Sequence, residues 1–441
     1  MVPSNSAPAV PFAEQGAPKT ARQDAMVRWG NLCRCSIGKI DVWAATVHNG
    51  STTAMLIQHL RVSGLLSFGP KGLDLPLRNL NVLIGPNGSG KSNLLEILAL
   101  LKAAPTGLPE PVKEMGGVHE WLWKGRGALS EAYVEALIKY PKGRQNLRHA
   151  LSIAEHGNRF EVTDERIENE QAYAGKPRPF FFYDFQRGNP MLHDFGDRQR
   201  KLQRDQVRPE ESILSQMRDP ERYPVLAHLE AQYAAIRLFR NWSFGPTAVL
   251  RREQSTQGKN DFLNDGGDNL ALVLSKIKSR VKSQLITALS KLYEGIADLD
   301  FSIDGGNVLL FLEERGGRNI PATRLSDGTL RYLCLCAILL HPDPPPLVAI
   351  EEPELGLHPD VLPFVAELLM RASERTQLVV TTHSRVLIDA LGEEPESVIV
   401  CEKLEGESCF QRLDGKKLRE WLEKYTLGKL WSMGEIGGNR W

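Results

Sequence analysis

The alternation of apolar and polar residues becomes regular from Met55 onward. "MLIQHLRVSGLLSF" alternates with period two and predicts an edge or hairpin strand. Leu80 to Gly85 is a largely apolar run that predicts a buried strand. "KSNLLEILALLKAA" follows it and puts Leu94, Leu95, Leu98 and Leu101 on one helical face. After Pro105, "LRHALSIAEHG" and "RFEVTDERIE" predict a hairpin turning at Gly157 and Asn158, and "RPFFFYDFQ" predicts a further strand. Residues 197–240 are polar and predict helix. From Asp268 a long amphipathic helix is expected, with Asp268 as N-cap, Gly295 as stop and Lys276, Lys278, Arg280 and Lys282 on its polar face.

From Pro321 the pattern tightens again. "TRLSDGTLRYLCLCAILL" predicts a turn and a helix, "LVAIEE" a strand, "LPFVAELLMRAS" a helix, "QLVVTTHS" a strand and "RVLIDAL" a helix. "SVIVCEKLEGESCFQRLD" predicts a hairpin near Gly406. Strand–helix alternation of this kind makes a mostly parallel sheet with helices packed on it, so the fold class is α/β with an added antiparallel portion. The final "LGKLWSMGEIGGNRW" shows no period.

Composition narrows the field. Apolar residues make up 42% and charged residues 24%, the proportions of an ordinary globular chain. Fifty-four basic residues balance 54 acidic ones, which argues against an overall basic nucleic-acid coat but allows a local basic face. The helix from Asp268 and the segment "GDRQRKLQRDQVR" are the candidates for such a face. No apolar run reaches the ~20 residues that span a bilayer, so no membrane partner is expected. The cysteines Cys33, Cys35, Cys334, Cys336, Cys401 and Cys409 lack zinc-ligand spacing; Cys334 and Cys336 are expected in the core, and a reduced cytoplasmic setting fits the set. Residues 1–54, rich in Pro, Ala and Ser near their start, are expected to be a disordered tail, with Met55 a candidate alternative start.

Two stretches carry chemistry. "GPNGSGKS" satisfies G-x-x-x-x-G-K-[ST] between an apolar strand and a helix. Gly85, Asn87, Gly88, Ser89, Gly90, Lys91, Ser92 and the following Asn93 are the expected nucleotide contacts. Glycines allow a tight loop whose N–H groups and helix N-terminus cradle phosphate oxygens. Lys91 is placed to reach the β- and γ-phosphates, and the Ser92 hydroxyl to bind Mg²⁺. The second stretch is "LVAIEEPELGLHP". Two adjacent carboxylates at the end of a buried strand need a positive partner, and Mg²⁺ on a bound nucleotide supplies one. Glu351 is the expected metal-side residue and Glu352 the expected catalytic base.

The order P-loop, "LSDGTL", "AIEEPE", "TTHS" resembles the ABC-type ATPases of the RecF/SMC-like branch, over about residues 55–102 and 320–392. The resemblance implies a P-loop ATPase head that binds ATP and Mg²⁺. It also implies a head-to-tail homodimer in which Ser326 and Gly328 of the signature in one subunit meet the γ-phosphate held by the other. His383 corresponds to the switch histidine, and Leu355 to His358 to the dimer-facing loop. Two departures stand out: Glu351 replaces the usual Asp, and Asp327 replaces a signature Gly, where it is expected to cap the following helix. The lid glutamine has four candidates, Gln145, Gln171, Gln186 and Gln254.

The resulting organisation is a tail (1–54), an N-terminal ATPase lobe (55–140), an insertion of hairpins and a short helical arm (141–319), a C-terminal ATPase lobe (320–413) and a tail helix (414–441). Two roles follow from the resemblance: a DNA-maintenance ATPase that clamps DNA, or an ATP-gated regulatory subunit of a bacterial defence system that controls a separate effector nuclease. A transporter subunit fits the insertion poorly.

Overall fold

The computed structural model describes residues 55–127, 129–186, 188–194 and 198–438. The expectations for residues 1–54, including Cys33 and Cys35, lie outside the described residues. The chain enters through β1 (Ile57–Ser63), β2 (Leu73–Pro76) and β3 (Leu80–Ile84), followed by helices α1 (Lys91–Ala103), α2 (Glu110–Glu114) and α3 (Val118–Trp121). Next come β4 (Glu131–Ile138), β5 (Leu147–His156), β6 (Arg159–Asn169), β7 (Phe181–Gln186), β8 (Asn189–His193) and β9 (Gln199–Lys201). Short helices α4 (Ile213–Gln216) and α5 (Pro224–Ala234) lead to β10 (Arg237–Phe239) and β11 (Gln254–Ser255), then to the long α6 (Leu270–Leu292). Strands β12 (Ile296–Asp304), β13 (Asn307–Glu314) and β14 (Arg318–Pro321) precede α7 (Asp327–Leu339), β15 (Leu347–Glu351), α8 (Leu362–Ser373), β16 (Gln377–Thr381) and α9 (Arg385–Ala390). The described part closes with β17 (Val398–Leu404), β18 (Glu407–Arg412), α10 (Gly415–Leu422) and α11 (Leu427–Met433).

The central sheet has the order β10-β15-β16-β3-β17-β18. Its first five strands run parallel and β18 turns back antiparallel. Parallel strands covered on both faces read as continuous apolar runs, and β3 and β16 are buried at every position. Successive side chains then divide between two cores. Val82, Ile84, Val348, Ile350 and Val380 pack with α6, α7 and α8. Leu83, Ala349, Val379 and Ile399 pack with α1 and an eight-stranded antiparallel sheet. That sheet has the order β2-β1-β4-β5-β6-β7-β8-β9, so of the two alternatives β1 takes the hairpin, with β2, and since it also pairs with β4 it is not an edge strand. Strands β4 and β5 pair from Glu131↔Ala154 to Ile138↔Leu147, and the sheet therefore continues across position 140. The β5–β6 turn falls at Gly157 and Asn158, both with positive φ, as the two-residue hairpin requires.

Three expectations need correction. Residues 197–240 are not one helical region: β9, α4, α5 and β10 share them, because Pro209, Pro220 and Pro224 interrupt any continuous helix and the sheet edges recruit the ends. The long helix is capped by neither Asp268 nor Gly295. Asn269 occupies the N-cap position, but its amide holds the preceding loop through Asn264, Lys259 and Phe262, and the helix stops at Leu292. Nor does α6 project as an arm: ten of its residues are buried, and its axis breaks at Val281. Its basic face is engaged internally, Lys276 with Asp261 at 2.9 Å, Lys278 and Lys282 with Asp298 at 3.0 and 3.2 Å, and Arg280 with Asp343. The stretch from Leu427, without any period in the sequence, begins with a helix defined by its ends: Thr426 caps it and Gly434 closes it at φ 79°.

Candidate nucleotide site

The site forms where β3, β15 and β16 end side by side. The loop from β3 to α1 carries Gly85, Gly88 and Gly90 at φ 149°, 79° and 98°. Gly85 and Gly90 are required by close approach as well as by φ. A Cβ at Gly85 would lie 2.1 Å from the Cys401 carbonyl oxygen, and one at Gly90 would lie 2.2 Å from Ser408 Oγ. The β17–β18 hairpin thus backs the loop from behind. Asn93 donates to Ser67 Oγ at 2.6 Å, and Ser67 also bonds Ser408 at 2.6 Å, so Asn93 anchors the cradle from outside as well as lining it.

Lys91 is buried and donates to the carbonyls of Gly85 (2.8 Å) and Pro86 (3.0 Å), folded over the loop it starts from. Burial lowers its pKa, opposed by the carboxylates of Glu352, Glu351 and Glu354. Ser92 Oγ donates to Glu351 Oε1 at 2.5 Å. The cavity they face has a volume of about 290 Å³ and is lined by Asn87, Gly88, Gly90, Lys91, Ser92, Asn93, Glu351, Glu352, Thr381 and His383. Ser89 is buried with no hydrogen-bond partner for its hydroxyl, beside backbone that only glycine permits. Ser89 does not line the cavity; it is the glycine loop at the N-terminus of α1 that fits a phosphate oxygen. Two hard oxygen donors in contact, Ser92 Oγ and Glu351 Oε1, fit Mg²⁺.

Glu352 has φ 47°, a left-handed conformation that costs a non-glycine residue about 1–3 kcal/mol and persists only where surroundings impose it. Here its N–H donates to the Thr381 carbonyl at 3.0 Å, and its carbonyl accepts from Arg331 Nη1 at 3.1 Å. Arg331 lies on α7 with its guanidinium over the neighbouring rings of Trp242 and Phe244, at 5.4 and 5.2 Å from their centres. The carboxylate of Glu352 comes within 3.5 Å of His383 Nε2. Glu354, quoted in the sequence motif without a role, clamps the turn after β16: its Oε1 accepts from Thr382 Oγ1 (2.7 Å), His383 N–H (2.7 Å) and Ser384 N–H (3.1 Å).

Burial, then the charge of Lys91, lowers the His383 pKa below its ordinary 6.5, against the pull of Glu352 and Glu354. The acidic limb of a kcat/KM–pH profile reports the free protein. With neutral His383 as the working form, activity is expected to fall as pH drops through a midpoint below 6.5. His383→Gln is expected to flatten that limb; a parental limb in the variant would assign it to another group.

Ser326 and Gly328 do not line this cavity. Ser326 caps α7, its Oγ accepting from Thr329 N–H at 3.0 Å, so the capping role expected of Asp327 belongs to Ser326. Asp327 instead meets the buried guanidinium of Arg251, which neutralises it. Gly328 abuts the loop after β15, where a Cβ would lie 2.4 Å from the Gly356 carbonyl oxygen, and Leu355 of that loop is half exposed. None of the four candidate glutamines lines the cavity: Gln145 accepts from Gln171 N–H, Gln254 accepts from Ala271 N–H, and Gln186 ends β7. The polar side chain that does reach Glu351 from outside the P-loop is Arg240, just after β10.

A glycine cradle with a buried lysine, carboxylates at the end of the second strand over and a histidine after the strand between them define a P-loop ATPase head of the ABC/SMC-like type. The model of a family described as "AAA domain, putative AbiEii toxin, Type IV TA system" matches residues 80–389, and the chain belongs to that family. No curated protein matches it. Among solved structures, an SMC head bound to the C-winged helix domain of ScpA is 17% identical, with a TM-score of 0.50 over 82% of this chain and 99% of that one. The SMC head domain from Thermotoga maritima is 14% identical (TM-score 0.44, 82% and 100% covered). The Smc head from Pyrococcus furiosus, with an extended coiled coil and bound to the C-terminal domain of ScpA, is 15% identical (TM-score 0.49, 84% and 99% covered). The first of these supports the fold. Among the described residues, no helix is long and apolar enough to cross a membrane.

Proposed function

We propose that the protein binds and hydrolyses Mg²⁺-ATP, and that two copies close head to tail around the nucleotide. The observation that carries this reading is the convergence of Lys91, Ser92, Glu351, Glu352 and His383 on one cavity, from three strand ends far apart in the chain. Lys91, released from the Gly85 and Pro86 carbonyls, turns to the phosphates, and the loop amides hold their oxygens. Mg²⁺, held by Ser92 and Glu351, supplies charge neutralisation on the triphosphate. Glu352 orients the attacking water and accepts its proton, and neutral His383 stands beside it at 3.5 Å. Ser326 and Gly328 stand at the N-terminus of α7, away from the chain's own cavity, and in this reading they complete the cavity of a second copy.

The ATP-dependent closure serves as a switch on a partner protein. The family's toxin–antitoxin description supports this, and so does the internal pairing of the α6 basic face, which leaves little charge there for DNA. A DNA-clamping role, as in repair, has one observation in its favour: β9 is an exposed edge strand carrying Arg200 and Lys201. Analytical ultracentrifugation tests the core of the proposal. A monomer that becomes a dimer on saturation with a non-hydrolysable ATP analogue and Mg²⁺ is the expected result. A monomer under both conditions refutes head-to-tail closure.

A further inference from the structure

Glu351 poses a problem that its neighbours solve. It is one methylene longer than the aspartate usual at this position, so its carboxylate has an extra rotor to lose before it can hold a metal in one place. In the structure both of its oxygens are occupied: Oε1 accepts from Ser92 Oγ at 2.5 Å and Oε2 from Arg240 Nε at 3.1 Å. The same guanidinium donates through Nη1 to Glu96 Oε1 at 2.6 Å. Ser92 and Glu96 are four residues apart on α1 and therefore share a face. The parallel register Phe239↔Ile350 brings the next residues, Arg240 just after β10 and Glu351 at the end of β15, side by side. The result is a closed ring, Ser92–Glu351–Arg240–Glu96, joining the P-loop helix to the ends of two strands.

We propose that Arg240 is a positioning residue that fixes the Glu351 carboxylate for metal binding by tying it to Glu96 on the P-loop helix. It acts from just after β10, behind Glu351 and outside the lining of the cavity. A guanidinium suits the task because its planar fork meets two carboxylates at once, which an ammonium on a flexible stem does not do in a fixed geometry. Glu96 is buried, and without Arg240 two carboxylates would share the space beside Ser92 with nothing between them. A guanidinium stays protonated throughout the neutral range, so the bridge persists there.

This inference rests on the reading of the cavity as a Mg²⁺-nucleotide site, and the test separates the two. Calorimetric titration of the full chain with ADP, in EDTA and in Mg²⁺, gives the gain in affinity that the metal confers. The parent protein is expected to show a clear gain. Arg240→Gln is expected to bind ADP in EDTA like the parent but to lose about tenfold of the Mg²⁺-dependent gain, the usual effect of removing a group that orients a metal ligand. Arg240→Lys, which keeps the charge without the fork, is expected to resemble Arg240→Gln. Because Arg240→Gln strands the buried Glu96, the double variant Glu96→Gln/Arg240→Gln is titrated beside it, and a reduced gain there supports the proposal equally. An undiminished gain in the folded variants overturns the positioning role. A parent protein without any Mg²⁺-dependent gain overturns the site assignment itself.

Discussion

Glu352→Gln is expected to lower ATP turnover by about 100- to 10,000-fold, the range for loss of a positioned general base, while ATP still binds. The argument lies in how the residue is held. The Glu352 backbone is fixed by Thr381 on β16 and Arg331 on α7, neither of which touches the carboxylate. The amide of glutamine therefore occupies the same place, keeps the size and polarity of the side chain, and accepts no proton. On the proposed head-to-tail closure, ATP would enter and the heads would close, but the step that releases them would be missing. Phosphate release under saturating ATP measures the first effect; a dimer that persists in ATP, seen by sedimentation, measures the second. Whatever the closed dimer embraces should then be retained on affinity purification, either a co-purifying protein or DNA lost steeply with salt. Turnover at the parental rate in Glu352→Gln would remove Glu352 from the base role.

Lys91→Ala is expected to weaken ATP binding by about 10- to 100-fold, the equivalent of losing one charge-assisted hydrogen bond at about 1.5–3 kcal/mol. Lys91 is buried, and the groups it touches in the nucleotide-free protein are the carbonyls of Gly85 and Pro86. Its charge is disfavoured by burial and its direct hydrogen bonds go to neutral carbonyls, so an incoming triphosphate offers it stronger, anionic acceptors. The fold has little stake in the side chain, because the loop conformation is set by Gly85 and Gly90 against the β17–β18 hairpin. The variant should therefore melt close to the parent temperature while a fluorescent nucleotide titration shows the loss. Parental affinity in Lys91→Ala would rule out the phosphate-site reading.

Much of this site was legible in the chain because its parts are contiguous motifs at the ends of apolar strands. The P-loop, the Glu351–Glu352 pair and His383 each follow a run that could only be a buried strand, and a parallel sheet aligns such ends. Arg240, Glu96, Arg331 and Glu354 were not legible as site residues. Arg240 is one arginine in a polar stretch that reads as helix, and its partners are 111 and 144 residues away in the chain. Arg331 looks like the solvent side of an amphipathic helix until Trp242 and Phe244 close over it. The failure over residues 197–240 has the same cause: β9 and β10 are three-residue strands, recruited by sheet edges from elsewhere in the chain.

The amino-acid order alone determined the strand–loop–helix glycine cradle, the carboxylate pair at the end of β15 and the alternation that builds a parallel sheet, since each depends on side-chain period or on glycine within a few residues. Tertiary structure decided which strands are neighbours, that the α6 basic face is spent on internal partners, and that a guanidinium from β10 closes on Glu351. Those outcomes depend on distances between residues remote in sequence, and local propensity carries no information about them.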